Sequence, residues 1–230
     1  MLSFVVYFYL SSYLPLWWDQ YLAPYQMFDL SDVVSPVGAL IGVVVYEGLV
    51  YFYHRAVHVS DGLFRVVHQM HHSAERVDSW GAFYFGPLDM VGFTFLGSMA
   101  LVVGVGLSPQ DVTLFLFATL FLGIFQHMNV RTPRWLGYVV QRPEAHALHH
   151  ARGVHRYNYS DLPIFDIALG TFENPPDFPR GECGYYLGAS ARVAEMLLCR
   201  DVTKPRAVSG SMEARCLEDG QAPIEEVAGL

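Results

Sequence analysis

The segment Val37-GALIGVVVYEGLVYFY-His54-RAV-His58 decides the fold. From Val37 to Tyr53 it runs 17 residues with no basic side chain and one acid, Glu47, and then presents two histidines four positions apart. An α-helix needs about 17–25 mostly apolar residues to cross a bilayer. Three further stretches resemble it: Leu2–Trp18, Val91–Leu107 and Val112–Phe125, the last reaching full length only by running on to Val130. No Lys or Arg falls in residues 1–54 or between Val77 and Val130. One or two such segments would fit as buried helices of a soluble core; four in 230 residues argue for insertion in a membrane.

Composition agrees. The chain is 53% hydrophobic and 16% charged, against about 25% charged in an ordinary soluble domain. A formal charge of −8 gives no basic footprint for nucleic acid. Cys183, Cys199 and Cys216 form no CxxC pair and no disulfide framework, which suits a reducing compartment.

Arg55, Arg65 and Arg76 follow the second stretch, and the other basic residues begin at Arg131. Placing both basic segments in the cytoplasm satisfies the positive-inside bias and puts the N-terminus inside. The expectation is an all-α integral membrane protein with about four transmembrane helices in two hairpins and a cytoplasmic, histidine-rich helical cap. Ser108-Pro109-Gln110-Asp111 predicts a helix start, with Ser108 as cap and Asp111 at the positive end. The first stretch lacks a basic leader and a cleavage motif, and reads as a retained span. Trp135–Val140 is expected at the membrane surface, and Ser190–Arg200 as an amphipathic helix with Val193, Met196 and Leu197 on one side. The chain then divides into residues 1–36 (first span and external loop), 37–200 (the histidine-bearing domain) and 201–230, a tail expected to be disordered.

All ten histidines lie between positions 54 and 155: His54 and His58, then His68-Gln-Met-His71-His72, His127, His146-Ala-Leu-His149-His150, and His155. Spacings of three and four share one helical face, so each motif should aim its imidazoles at a common point. A given HxxHH arrangement is expected about 0.02 times by chance at this histidine content, and two occur. Imidazole suits zinc, copper, iron and nickel. One tetrahedral zinc would leave at least four histidines idle, whereas eight or nine ligands fit two metals that keep open positions. A haem protein would leave adjacent pairs such as His71-His72 unexplained. A metal transporter would set its ligands near mid-membrane rather than at one face.

These residues resemble the fatty acid hydroxylase/sterol desaturase superfamily of integral-membrane di-iron oxygenases, whose signature is HxxxH, HxxHH, HxxHH. His71-His72-Ser73, Gln126-His127-Met128-Asn129, Pro143-Glu144, Asn158-Tyr159 and Phe165-Asp166-Ile167-Ala168-Leu169-Gly170-Thr171-Phe172 match further pieces, over roughly residues 40–200. Phe165 and Ser160 stand where Trp and Gly are common, and Gly86-Pro87 where many relatives have His-Pro. The resemblance implies that His54, His58, His68, His71, His72, His146, His149 and His150 ligate iron, with His127 as a ninth ligand. His155 reads equally as a ligand or as a solvated-loop residue. Glu47 and Asp166 are candidates to support the ligands from outside. The implied activity is O2-dependent hydroxylation, or else desaturation, of a C–H bond of a sterol, fatty acyl chain or other long-chain lipid in the bacterial inner membrane or endoplasmic reticulum. No flavin, NAD or haem motif is present, so electrons would come from a ferredoxin, a cytochrome b5-like protein or a reductase. The cytoplasmic arginines suit an acidic donor, but positive-inside bias alone also accounts for them.

Overall fold

A computed structural model describes residues 2–154 and 156–206. Within them the protein is helical, with one isolated antiparallel bridge, Ala151 to Cys183, and no strands. The long helices are α1 (Leu2–Leu22), α2 (Val37–Val59), α5 (Pro87–Met99, continued by a π-helical segment Ala100–Val105) and α6 (Pro109–Gln126). Short helices build a cap: α3 (Asp61–Leu63), a π turn (Phe64–His68), α4 (Gln69–His72), α7 (Pro143–His149), α8 (Ile164–Leu169) and α9 (Val193–Leu197).

Among the described residues, three helices are long and apolar enough to cross a membrane: Val37–Val59, Pro87–Val105 and Pro109–Gln126. The first expected span does form a helix, α1, but it is not among these three. Its outward face carries Tyr9, Tyr13, Trp17 and Tyr21, amphipathic rings that favour the interface over the hydrocarbon centre. α1 packs along α5, where the buried Trp18 indole donates to Ser98 Oγ (2.7 Å) and meets Phe95 edge-on. α2 contacts both α5 and α6, and Val43, Leu101, Phe115 and Leu122 form the core between them. Lipid is as apolar as these side chains, so close packing rather than exclusion of water holds the bundle together. Phe117 and Phe121 on α6 and Leu40 and Phe52 on α2 remain outward-facing, as lipid-exposed residues do.

The turn between α5 and α6 is built as its sequence predicts. Ser108 Oγ accepts the Asp111 N–H (3.2 Å), Pro109 opens the helix, and Asp111 also accepts Ser35 Oγ (2.6 Å), tying the start of α2 to the same corner. Gly106 has φ +48°, and a Cβ there would overlap the Gln26 side chain. Met27, Phe28 and Leu30 donate their N–H groups to carbonyls from Val103 to Gly106, satisfying a helix end that would otherwise be left open. This corner closes one end of the bundle. The last turns of α2, the first turn of α5 and the end of α6 meet at the other, where the cap sits.

In the cap, Met70, Met196 and Val202 pack together with Tyr84 and Tyr185. The helix expected over Ser190–Arg200 is only Val193–Leu197, and its Met196 turns inward while Val193 and Leu197 stay partly exposed. Trp135, Tyr138 and Val139 are exposed, around a 3-10 turn. The packed chain continues past Asp201: Val202 is fully buried and its N–H bonds Gln69 Oε1, and Arg206 pairs with Glu195. The rest of the expected tail, 207–230, lies outside the described residues, as does His155.

Candidate metal centre

Nine histidines converge where the bundle meets the cap, in two groups. His54, His58, His68, His72 and His149 form the first; His71, His127, His146 and His150 form the second. Within each group every candidate ligand nitrogen lies within 4.8 Å of the others. All nine are buried except His58, which is half-buried and faces a cavity of about 420 Å³ lined also by Asp61, Phe64, Arg152 and Tyr185.

The expectation that each HxxHH motif serves one point is corrected. His68 and His72 join the first group but His71 the second, while His146 and His150 join the second but His149 the first. The cause is helical geometry. Positions i and i+4 differ by about 40° around the axis and lie one above the other, whereas i+3 and i+4 differ by about 100° and diverge. Each motif therefore gives two ligands to one group and one to the other. His72 and His150 stack across the boundary with ring centroids 4.2 Å apart.

The nitrogens lie close enough together that each group could hold a metal ion. His54 Nε2 lies 3.0 Å from His68 Nε2 and 3.1 Å from His58 Nε2. In the second group the His71–His127, His127–His146 and His146–His150 Nε2 separations are 3.2, 2.9 and 3.0 Å. With metal–nitrogen bonds of about 2.1 Å, neighbouring ligands are about 3.0 Å apart at right angles and about 3.4 Å apart in a tetrahedron. The spacing thus matches the right-angled pattern, in which four or five nitrogens leave positions open. The outer nitrogens fix the tautomers: His54, His149 and His127 place Nδ1 on the carbonyls of Tyr159 (2.9 Å), Tyr157 (2.7 Å) and Gly123 (2.7 Å). Nδ1–H donates there, which leaves the Nε2 lone pair facing the group.

Burial, and then the neighbouring imidazoles, push His71, His72, His146 and His150 well below the usual histidine range. Burial takes His68 down to about 3 and His127 to about 4. All are neutral at pH 7, the state a metal requires. In metal-free protein, folded and unfolded states are equally deprotonated above pH 6.5. As pH falls below 6.5 the unfolded chain takes up protons that the folded chain refuses, so stability is lost. At pH 5, His68 and His127 should each cost about 2 kcal/mol, read as a lower unfolding midpoint of the metal-free protein at pH 5 than at 7.5.

Two carbonyls of the first group come from one strained turn. Tyr157 and Asn158 both have left-handed backbone conformations (φ 67° and 51°), unusual for residues with a Cβ. The turn is held on every side. Asn158 donates its amide to Ala145 O and accepts Glu173 N–H, and Asp166 accepts the N–H groups of Tyr159 (2.9 Å) and Ser160 (3.1 Å). Glu47 Oε2 accepts Ser160 Oγ and Asp161 N–H, both at 2.8 Å. Among the described residues Glu47 thus bonds no imidazole; it reaches His54 through the Tyr159 carbonyl. Glu47→Gln should lower metal content severalfold without preventing membrane insertion, measured as metal per chain in purified protein.

α7, which carries His146 and His149 and is followed directly by His150, is anchored by the fully buried Arg142. Its guanidinium donates to Thr132 Oγ1 (2.9 Å) and O (2.8 Å), Asn174 Oδ1 (2.7 Å) and Pro175 O (3.0 Å), and pairs with Glu144 (2.9 Å). Glu144 in turn accepts Thr132 N–H and Oγ–H. Three site residues were not singled out from the sequence: Arg142, Gln141, whose amide touches His146 Nδ1 (2.8 Å), and Asp89, whose carboxylate meets His68 Nδ1 at 2.5 Å. Asp89 had a signal, being the one acid between Asp78 and Asp111.

A family model for fatty acid hydroxylases matches residues 39–171, more than half of the chain and a range that holds all nine histidines. The chain belongs to the fatty acid hydroxylase family. Its relatives include the ornithine lipid hydroxylase OlsE of Rhizobium tropici, 35% identical over 145 residues, covering 60% of this chain and 42% of that protein. The sphingolipid C4-hydroxylase sur2 of Schizosaccharomyces pombe is 27% identical over 129 residues (54% and 44%). The very-long-chain aldehyde decarbonylase GL1-9 of Oryza sativa subsp. japonica is 26% identical over 147 residues (60% and 55%). The chain spans about half the length of the curated relatives it matches. No solved structure matches. Three helices fit to cross a bilayer, in a member of this fatty acid hydroxylase family, make it a membrane protein.

Proposed function

We propose that this fatty acid hydroxylase family member is a di-iron enzyme that hydroxylates a C–H bond of a membrane lipid, using O2 and electrons from a separate redox protein. The observation that carries the reading is the division of nine imidazoles into groups of five and four at right-angled spacing. The five ligands of the first group would be His54, His58, His68, His72 and His149, and the four of the second His71, His127, His146 and His150. The two irons, when bound, would supply O2-dependent oxidation of an unactivated C–H bond. The protein's part is to hold the imidazoles neutral, to keep water from eight of the nine, and to admit substrate to one side. The cavity at His58 is the entrance we assign, with Asp61 and Arg152 at its polar rim and Phe64 and Tyr185 as its walls.

Two relatives named as lipid hydroxylases support a lipid substrate and hydroxylation over desaturation. Sterols, acyl chains and other long-chain lipids all remain within the proposal. The arginine distribution supports a cap on the cytoplasmic side of the bacterial inner membrane or endoplasmic reticulum. A haem would need two imidazoles on opposite sides of a porphyrin, and nitrogens 3.0 Å apart leave no room for one. Untargeted lipidomics of cells expressing the protein tests the reading. A lipid heavier by one oxygen, absent with a His149→Ala variant, is expected. An unchanged lipid profile in cells that hold iron-loaded protein would contradict it.

A further inference from the structure

The two histidine groups differ in what stands behind them. In the second group, His127 Nδ1 meets a carbonyl, His146 Nδ1 meets the Gln141 amide, and the buried Nδ1 atoms of His71 and His150 have no hydrogen-bond partner among the described residues. In the first group, His54 and His149 meet carbonyls, and His68 meets the carboxylate of Asp89 at 2.5 Å. Among the described residues Asp89 is the one carboxylate that pairs with any of the nine imidazoles. It is fully buried, and it sits in the first turn of α5, three positions after the Gly86 cap, where the helix dipole favours a negative charge. Its Oδ1 has no hydrogen-bond partner among the described residues, so its one hydrogen bond there is the one to His68.

A carboxylate behind a ligating imidazole fixes the ring's orientation and raises its basicity, and loss of such a partner typically costs 10–100-fold in metal affinity. We propose that Asp89 is a positioning residue that makes the two metal sites unequal, so that the five-histidine group holds its ion more tightly than the four-histidine group. The inference rests on the two-metal reading above and adds an order of release to it.

Competition between Fe(II)-loaded protein and a colorimetric Fe(II) chelator tests it, with no turnover required. The wild type should release iron in two phases, one ion per chain in each. Asp89→Asn keeps the shape and an acceptor for His68 but removes the charge. It should weaken the tighter phase by about 10–100-fold and leave the weaker phase in place. Asp89→Glu should recover part of the loss, and the optical bands of Co(II)-loaded Asp89→Asn should differ from those of the wild type. Matched unfolding midpoints for the metal-free proteins show that the change is not a folding defect. Unchanged release from Asp89→Asn, or equal weakening of both phases, would overturn the inference while leaving two bound irons intact. Wild-type protein that takes up no second iron would overturn the two-metal reading, and this inference with it.

Discussion

Paired histidine replacements should give results that depend on which pair is chosen. His68→Ala with His72→Ala removes two ligands from one group, so metal content should fall from two per chain to about one. His71→Ala with His72→Ala removes neighbours in sequence that serve different groups, so each group loses one ligand and iron should be held more weakly at both sites. Each pair should abolish turnover, since the proposed chemistry needs both ions. Metal analysis of membrane-inserted, purified protein separates the cases. If the adjacent pair weakened iron binding at one site and left the other site unchanged, the interleaving of the two HxxHH motifs would be wrong.

The second large effect falls on a residue that touches no histidine group. Replacing Arg142 with Met leaves the Glu144 carboxylate buried without its cation and strips partners from Thr132, Asn174 and Pro175. Breaking a buried, hydrogen-bonded pair by removing one member costs about 3–5 kcal/mol. For a chain of this size that is a fall of roughly 6–20 °C in the unfolding midpoint in detergent. Glu144→Gln should be milder, because the amide oxygen still accepts from Thr132. A midpoint within 2 °C or so of the wild type for Arg142→Met would show that the network does not hold α7.

Most of the architecture was legible because it depends on local pattern. The gaps between basic residues marked the three long apolar helices, and Ser108-Pro109-Gln110-Asp111 marked a helix start that the structure forms bond for bond. The first stretch forms a helix as expected, and its outward Tyr and Trp rings set it apart from the three more apolar helices. All nine histidines could be listed, since spacing and residue type are sequence properties. Their division between two groups was not legible, because it depends on how α4 and α7 approach one another. Nor were the supports: Asp89 becomes relevant only when α5 brings its first turn against His68, and Glu47 acts through a turn more than 100 residues away. The left-handed Tyr157-Asn158 pair carries no glycine to announce it, and only the bonds from Asp166, Thr171 and Ala145 show why the strain is kept.

The central claim is that two irons sit among these nine imidazoles. Anaerobic reconstitution of the purified protein with Fe(II), followed by iron and protein quantitation and an optical spectrum, tests it most directly. The predicted result is two irons per chain and no Soret band. One iron or fewer per chain, or a Soret band, would contradict it.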